Sequence, residues 1–69
     1  MRLRIGELRE DNDIKQEVIA RILNVTQATY SRYEAQKVNI PIEVFIKLAK
    51  YYNVSIDYLV GITDIKDRI

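Results

Sequence analysis

The chain has 69 residues, of which 48% are apolar and 30% charged, and eleven Lys and Arg against ten Asp and Glu give a formal net charge of +1. That length holds one small domain. The lack of Cys excludes disulfides and thiolate metal sites, and the lack of His removes the commonest general base and metal ligand. The apolar content excludes a disordered chain, no apolar run approaches the roughly 18 residues of a membrane span, and the charged start Met1–Glu7 lacks a signal-peptide core. A cytoplasmic protein without membrane contact, metal or cofactor is the expectation.

Only two Gly and one Pro occur, so the connections are short, and the apolar spacing is helical throughout. Ile5 and Leu8 mark a first helix that ends in Asp11-Asn12-Asp13, residues suited to turns and caps. Ile14 restarts the pattern, and Ile19, Ala20 and Leu23 carry a second helix. Asn24 tolerates the left-handed conformation that ends a helix, and Thr26 is a good N-cap for the next. A third helix is predicted from about Gln27 to Ala35, with Tyr30 and Tyr33 on its inner face, followed by a polar loop over 36–40. Pro41 suits the first turn of a fourth helix bearing Val44, Phe45, Leu48, Ala49 and Tyr52. Ser55 caps a short fifth helix of Ile56, Leu59 and Val60, closed by Gly61. No repeat or low-complexity segment is visible.

Charge by segment is more informative than the total. Residues 14–40 carry Lys15, Arg21, Arg32 and Lys37 against Glu17 and Glu34, and this is the only net basic part. The same stretch holds two short helices joined at Asn24-Val25-Thr26. Ala20 is small where the helices must cross, Asn24 stands where a positive φ is needed, and Val25 plugs the angle between them. That is the recipe for a helix-turn-helix, whose second helix shows its outer face, here Gln27, Ala28, Ser31 and Arg32, to the surroundings.

At these residues the chain resembles the Cro/lambda-repressor type of helix-turn-helix protein, the XRE family. The resemblance rests on Leu8-Arg9, Ile14-Lys15-Gln16-Glu17, Ile19-Ala20, Leu23-Asn24-Val25-Thr26-Gln27 and Ser31-Arg32-Tyr33-Glu34. It continues through Ile40-Pro41-Ile42-Glu43, Lys47-Leu48-Ala49 and Tyr52–Leu59. It implies an all-α, compact five-helix DNA-binding domain over residues 1–61, with 62–69 as a short C-terminal tail. It further implies a transcription regulator, a repressor of bacterial or phage origin, that recognises double-stranded operator DNA and needs no catalytic group or small-molecule ligand. Two departures stand out. Asn24 replaces the Gly common in the family, and Ala35-Gln36-Lys37 offers no Gly to stop the third helix. A third helix running one residue longer is therefore expected, at the expense of a phosphate contact from the loop backbone.

Candidate contacts follow. Gln27 can pair bidentately with adenine and Arg32 with guanine or a phosphate, while Ala28 can meet a thymine methyl and Ser31 shares their face. Each has a plainer reading as an exposed polar or small residue. Gln16 matches a family glutamine that bonds a phosphate. Thr26 and Thr29 can donate to phosphates, although Thr26 is first a helix cap. Lys37 and Asn39 lie in the loop that would run along the duplex backbone, and the Tyr33 hydroxyl is a further candidate. Arg9 and Glu34 match a family ion pair between the first and third helices. The late apolar residues Ile56, Tyr58, Val60, Ile62, Ile65 and Ile69 exceed what one small core needs. Tyr58, Val60, Ile62 and Ile65 are read as the contact of a weak homodimer. The alternative is that Ile62 and Ile65 fold back as a lid over the first and fifth helices. A protein-interaction module on the same fold, an antitoxin or an adaptor, is the competing functional reading.

Overall fold

In the computed structural model, residues 3–66 are described, and among them are five helices and no strand. The helices are α1 (Ile5–Asp11), α2 (Gln16–Leu23), α3 (Gln27–Glu34), α4 (Ile42–Tyr52) and α5 (Ile56–Leu59). One core joins all five. It is built from Ile5 and Leu8 of α1, Ile19, Ala20 and Leu23 of α2, and Tyr30 and Tyr33 of α3. Val44, Leu48 and Ala49 of α4, Val54 and Leu59 complete it. Full burial of each large aliphatic side chain contributes about 1.5–3 kcal/mol, which lets so short a chain fold without a staple. Ala20 is buried on α2, the helix that packs against α3, where a larger side chain would press on the core.

The helix ends share one device. Asp13, Asn24, Gln36, Asn53 and Gly61 all adopt positive φ, between 56° and 83°. In each case the next residue donates its backbone N–H back to a carbonyl five residues earlier: Ile14 to Arg9, Val25 to Ala20, Lys37 to Arg32, Val54 to Ala49 and Ile62 to Asp57. This is the Schellman closure, which satisfies the orphan carbonyls of a helix end. At α1, α2 and α4 the residue after the turn is apolar and packs on the core (Ile14, Val25 and Val54). At α3 and α5 it is Lys37 or Ile62, and both point to solvent.

Several expectations are corrected here. The third helix does not run on for lack of a glycine. It ends at Glu34 because Gln36 itself takes the left-handed conformation, at φ 57°. Two N–H groups and the entry of the chain into the loop outweigh the steric cost of a Cβ there. Pro41 is the N-cap of α4 rather than a residue of its first turn. Tyr33 is buried, so its ring belongs to the core. Ile56 and Tyr58 pack against the core, which absorbs part of the apparent apolar surplus. The lid is not formed by isoleucines. Residues 62–66 do fold back beside α5, with the Ser55 N–H donating to the Lys66 carbonyl at 2.9 Å. Yet Ile62 and Ile65 remain 73% and 66% exposed. Ile69 lies outside the described residues.

Candidate nucleic-acid interface

The outer face of α3 is presented by three constraints on its inner side. Thr26 caps the helix: its Oγ1 accepts from the Thr29 N–H at 3.1 Å. Tyr30, fully buried, and Tyr33 anchor the inner stripe and meet edge to face with ring centroids 6.4 Å apart. At the C-terminal end Glu34 receives three donors. Arg9 Nε and an Arg9 terminal nitrogen bond its two oxygens at 2.6 and 3.2 Å, and the Gln16 amide nitrogen reaches Oε1 at 3.1 Å. Arg9 also donates to the Ile14 carbonyl at 2.8 Å. The carboxylate thereby ties α1, α2 and α3 together. Gly6 eases the approach, because a Cβ at that position would stand 3.3 Å from Glu34 Oε1, a tight contact.

Ionisation follows from this packing. Burial pushes the Glu34 carboxyl up, but the bonds from Arg9 and Gln16, the nearby Tyr30 hydroxyl and the Arg9 charge outweigh it and hold it below the usual range. The same bond to Glu34 raises Arg9. Burial raises Tyr30, and the adjoining Glu34 charge adds to the effect. Tyr52 is pushed up to about 12, chiefly by burial. The ion pair is charged and both tyrosines are neutral at physiological pH.

Gln27, Ala28 and Arg32 are exposed on α3, and Ser31 is half-buried beside them. Thr26 is exposed and Thr29 half-buried. The Thr26 hydroxyl donates to Thr29 Oγ1 at 2.9 Å, which engages its single proton and leaves the Thr29 hydroxyl to donate elsewhere. Gln16 sits at the first position of α2, its amide fixed by Glu34. An amide carries two N–H groups, and this bond uses one. Lys37 and Asn39 are exposed in the loop after α3. The Gln36 and Lys37 N–H groups close the helix end, so only the Lys37 side chain is presented outward. These residues lie along a single stretch from the start of α2 to the loop after α3. Of the two acidic residues in that stretch, Glu34 faces inward to Arg9, and Glu17 is exposed in the first turn of α2.

Tyr58 and Val60 are half-buried on α5 and just after it, and Ile62 and Ile65 are exposed on the strap that follows. One functional candidate escaped the sequence reading. Arg4 is only 5% exposed and binds the chain's far end. Its backbone N–H donates to the Leu59 carbonyl at 2.8 Å. One guanidinium nitrogen donates to the carbonyls of Tyr58 and Thr63, at 2.7 and 2.8 Å, and another pairs with Asp64. The guanidinium carbon stands 4.2 Å from the centre of the Tyr58 ring. Most of its acceptors are backbone carbonyls, which no residue-type pattern announces.

Two packed helices of eight residues, the first with a buried alanine, an asparagine-centred turn and a second helix with an exposed outer face define a helix-turn-helix domain. The chain belongs to the helix-turn-helix family of Cro/C1 type, whose sequence profile matches residues 5–59. It is 33% identical over 64 residues to a Bacillus subtilis (strain 168) protein described as an uncharacterized HTH-type transcriptional regulator, YobD. The match covers 93% of this chain and 57% of that protein, so the chain spans little more than half of its relative's length. No solved structure gives a significant match.

Proposed function

We propose that this chain is the DNA-binding part of a transcription regulator, acting as a repressor by occupying operator DNA. The observation that carries the reading is the outer face of α3. Gln27, Ala28 and Arg32 are exposed there, while Tyr30, Tyr33 and Glu34 lock the inner face. A helix held this way enters a major groove without a further ordering cost. Gln27 and Arg32 read base edges, with Ala28 and Ser31 allowing close approach. Gln16, Thr26 together with Thr29, Lys37 and Asn39 contact phosphates, with Thr29 supplying the hydroxyl proton of its pair. One domain contacts one half-site, so two copies associate weakly through Tyr58, Val60, Ile62 and Ile65 and span half-sites about 34–36 Å apart. The relative's description as a transcriptional regulator supports the same role.

Selection of bound sites from random duplexes, followed by binding of variants, tests this. Gln27→Ala and Arg32→Ala should each cost about 1–3 kcal/mol on the selected site and relax preference at defined base pairs. Lys37→Ala should weaken binding to every sequence and lower the salt slope by about one unit. Failure to recover any duplex, with binding to a protein instead, would favour the interaction-module reading.

A further inference from the structure

We propose that Arg4 is a positioning residue for self-association. From the threshold of α1 it latches residues 58–64, so that Ile62 and Ile65 are presented, already ordered, to a second copy of this chain. The inference rests on the homodimer reading above and goes beyond it, since it assigns the ordering of that surface to a residue outside it.

The strap leaves α5 at Gly61, where φ is 83°, and returns to the start of the helix. Its interior attachments are polar. At its middle, Arg4 takes the Thr63 carbonyl and the Asp64 carboxylate. At its end, the Ser55 N–H takes the Lys66 carbonyl. Its isoleucines contribute little to holding it, because both face solvent. A segment ordered from behind by polar bonds with its apolar side chains outward is the reverse of ordinary chain packing. It keeps two rotamer-restricted isoleucines in place before any partner arrives, which removes an ordering cost from association.

A second copy is the occupant that the rim favours. Exposed charges of both signs accompany this end of the molecule: Asp57 stands with Lys50 and Lys66, while Asp64 is already paired with Arg4. Under a two-fold axis such a surface meets its own copy, and Asp57 of one copy can face a lysine of the other. Arg4 is suited to the latch. A guanidinium presents several donors in a fixed fork and stacks on an aromatic face, and a lysine offers neither. Its charge is balanced by Asp64, whose side chain is 95% exposed, so that carboxylate can be changed without touching the core.

The test uses Arg4→Met, Asp64→Ala, Asp64→Asn and the double variant Ile62→Asp/Ile65→Asp in the full chain. Two readouts are taken. Amide exchange at Ser55 in dilute protein reports the closed strap, and sedimentation at rising concentration, with and without a selected palindromic duplex, reports self-association. Arg4→Met should speed Ser55 exchange and weaken self-association, each by about tenfold. Asp64→Ala should do both more mildly, by about threefold, and Asp64→Asn, which keeps an acceptor oxygen, should fall between it and the parent. The double isoleucine variant should lose self-association with Ser55 protection intact. Binding to a duplex bearing one half-site should be unchanged throughout, which a general loss of folding would not allow. Unchanged Ser55 exchange, or unchanged self-association with an opened strap, in Asp64→Ala overturns the latch and leaves the dimer standing. A parent chain that stays monomeric on the palindrome overturns the dimer reading and the latch with it.

Discussion

The helix-turn-helix half and the C-terminal half of this molecule are each held by an arginine near α1, and they are held differently. Arg9 grips Glu34, and the two side chains are 13% and 14% exposed, so the pair is nearly withdrawn from water on both sides. Arg4 is buried still more deeply, its side chain 6% exposed, but its charged partner Asp64 stands in solvent and its other acceptors are carbonyls. A buried pair is expensive to break because the surviving charge has no water to turn to. A half-exposed one yields more easily. Helix α3 is therefore a rigid part of the fold, and the strap is a fitting attached to it. The helix ends divide along a different line. At α1, α2 and α4 the residue after the left-handed turn dives into the core, and at α3 and α5 it faces outward as Lys37 or Ile62.

The largest effect is expected at the Arg9 end. Glu34→Ala should cost about 2–4 kcal/mol in urea unfolding, while Arg9→Met combined with Glu34→Leu should cost less than either single change. Equal costs for single and double variants would place the pair in water and erase the contrast. Next comes the crossing itself: Ala20→Leu should lose about 1–3 kcal/mol by overpacking. A variant as stable as the parent would mean that the two helices do not meet there.

Titration sharpens the comparison further. The folded Glu34 carboxyl lies below its unfolded value of 4.5. Its contribution is therefore complete above that value and is lost as pH falls through the folded one. Tyr52 runs the other way: raised from 10.0 to about 12, it contributes fully below 10.0 and loses that contribution as pH climbs toward 12. Melting temperatures measured against pH should fall at both ends. Glu34→Gln should flatten the acid limb and Tyr52→Phe the alkaline one.

Smaller effects should follow from two exchanges at the margins of these sites. Gly6→Ala gains helix propensity of about 1 kcal/mol. It also presses on a Glu34 carboxylate that Arg9 and Gln16 keep from yielding, so a small net loss in thermal stability is expected. Asp64→Ala should change global stability by about 1 kcal/mol or less, in keeping with an exposed carboxylate. A loss as large as that of Glu34→Ala would show the two arginine ends to be alike.

The sequence by itself determined the helices and most of their boundaries. Ile19, Ala20 and Leu23 fall on one helical stripe, Thr26 and Ser55 are caps by their chemistry, and Asn24 and Gly61 are residues that tolerate positive φ. The outer set on α3 was legible for the same reason, since once Tyr30 is assigned inward the helical period sends Gln27, Ala28 and Arg32 outward. The pairing of Arg9 with Glu34 was legible only through resemblance, because two charges 25 positions apart carry no mutual signal in one chain. Tertiary structure alone decided the remainder. Gln36 adopts the left-handed turn because the chain must leave α3 there, although a glutamine does not prefer it. Gly6 admits Glu34 through proximity that no local pattern encodes. Arg4, part of the charged start of the chain, is buried because the end of the chain returns to it with carbonyl groups that any residue would supply. Periodicity reports which side of a helix is apolar; it is silent about which distant backbone will come to rest against a given side chain.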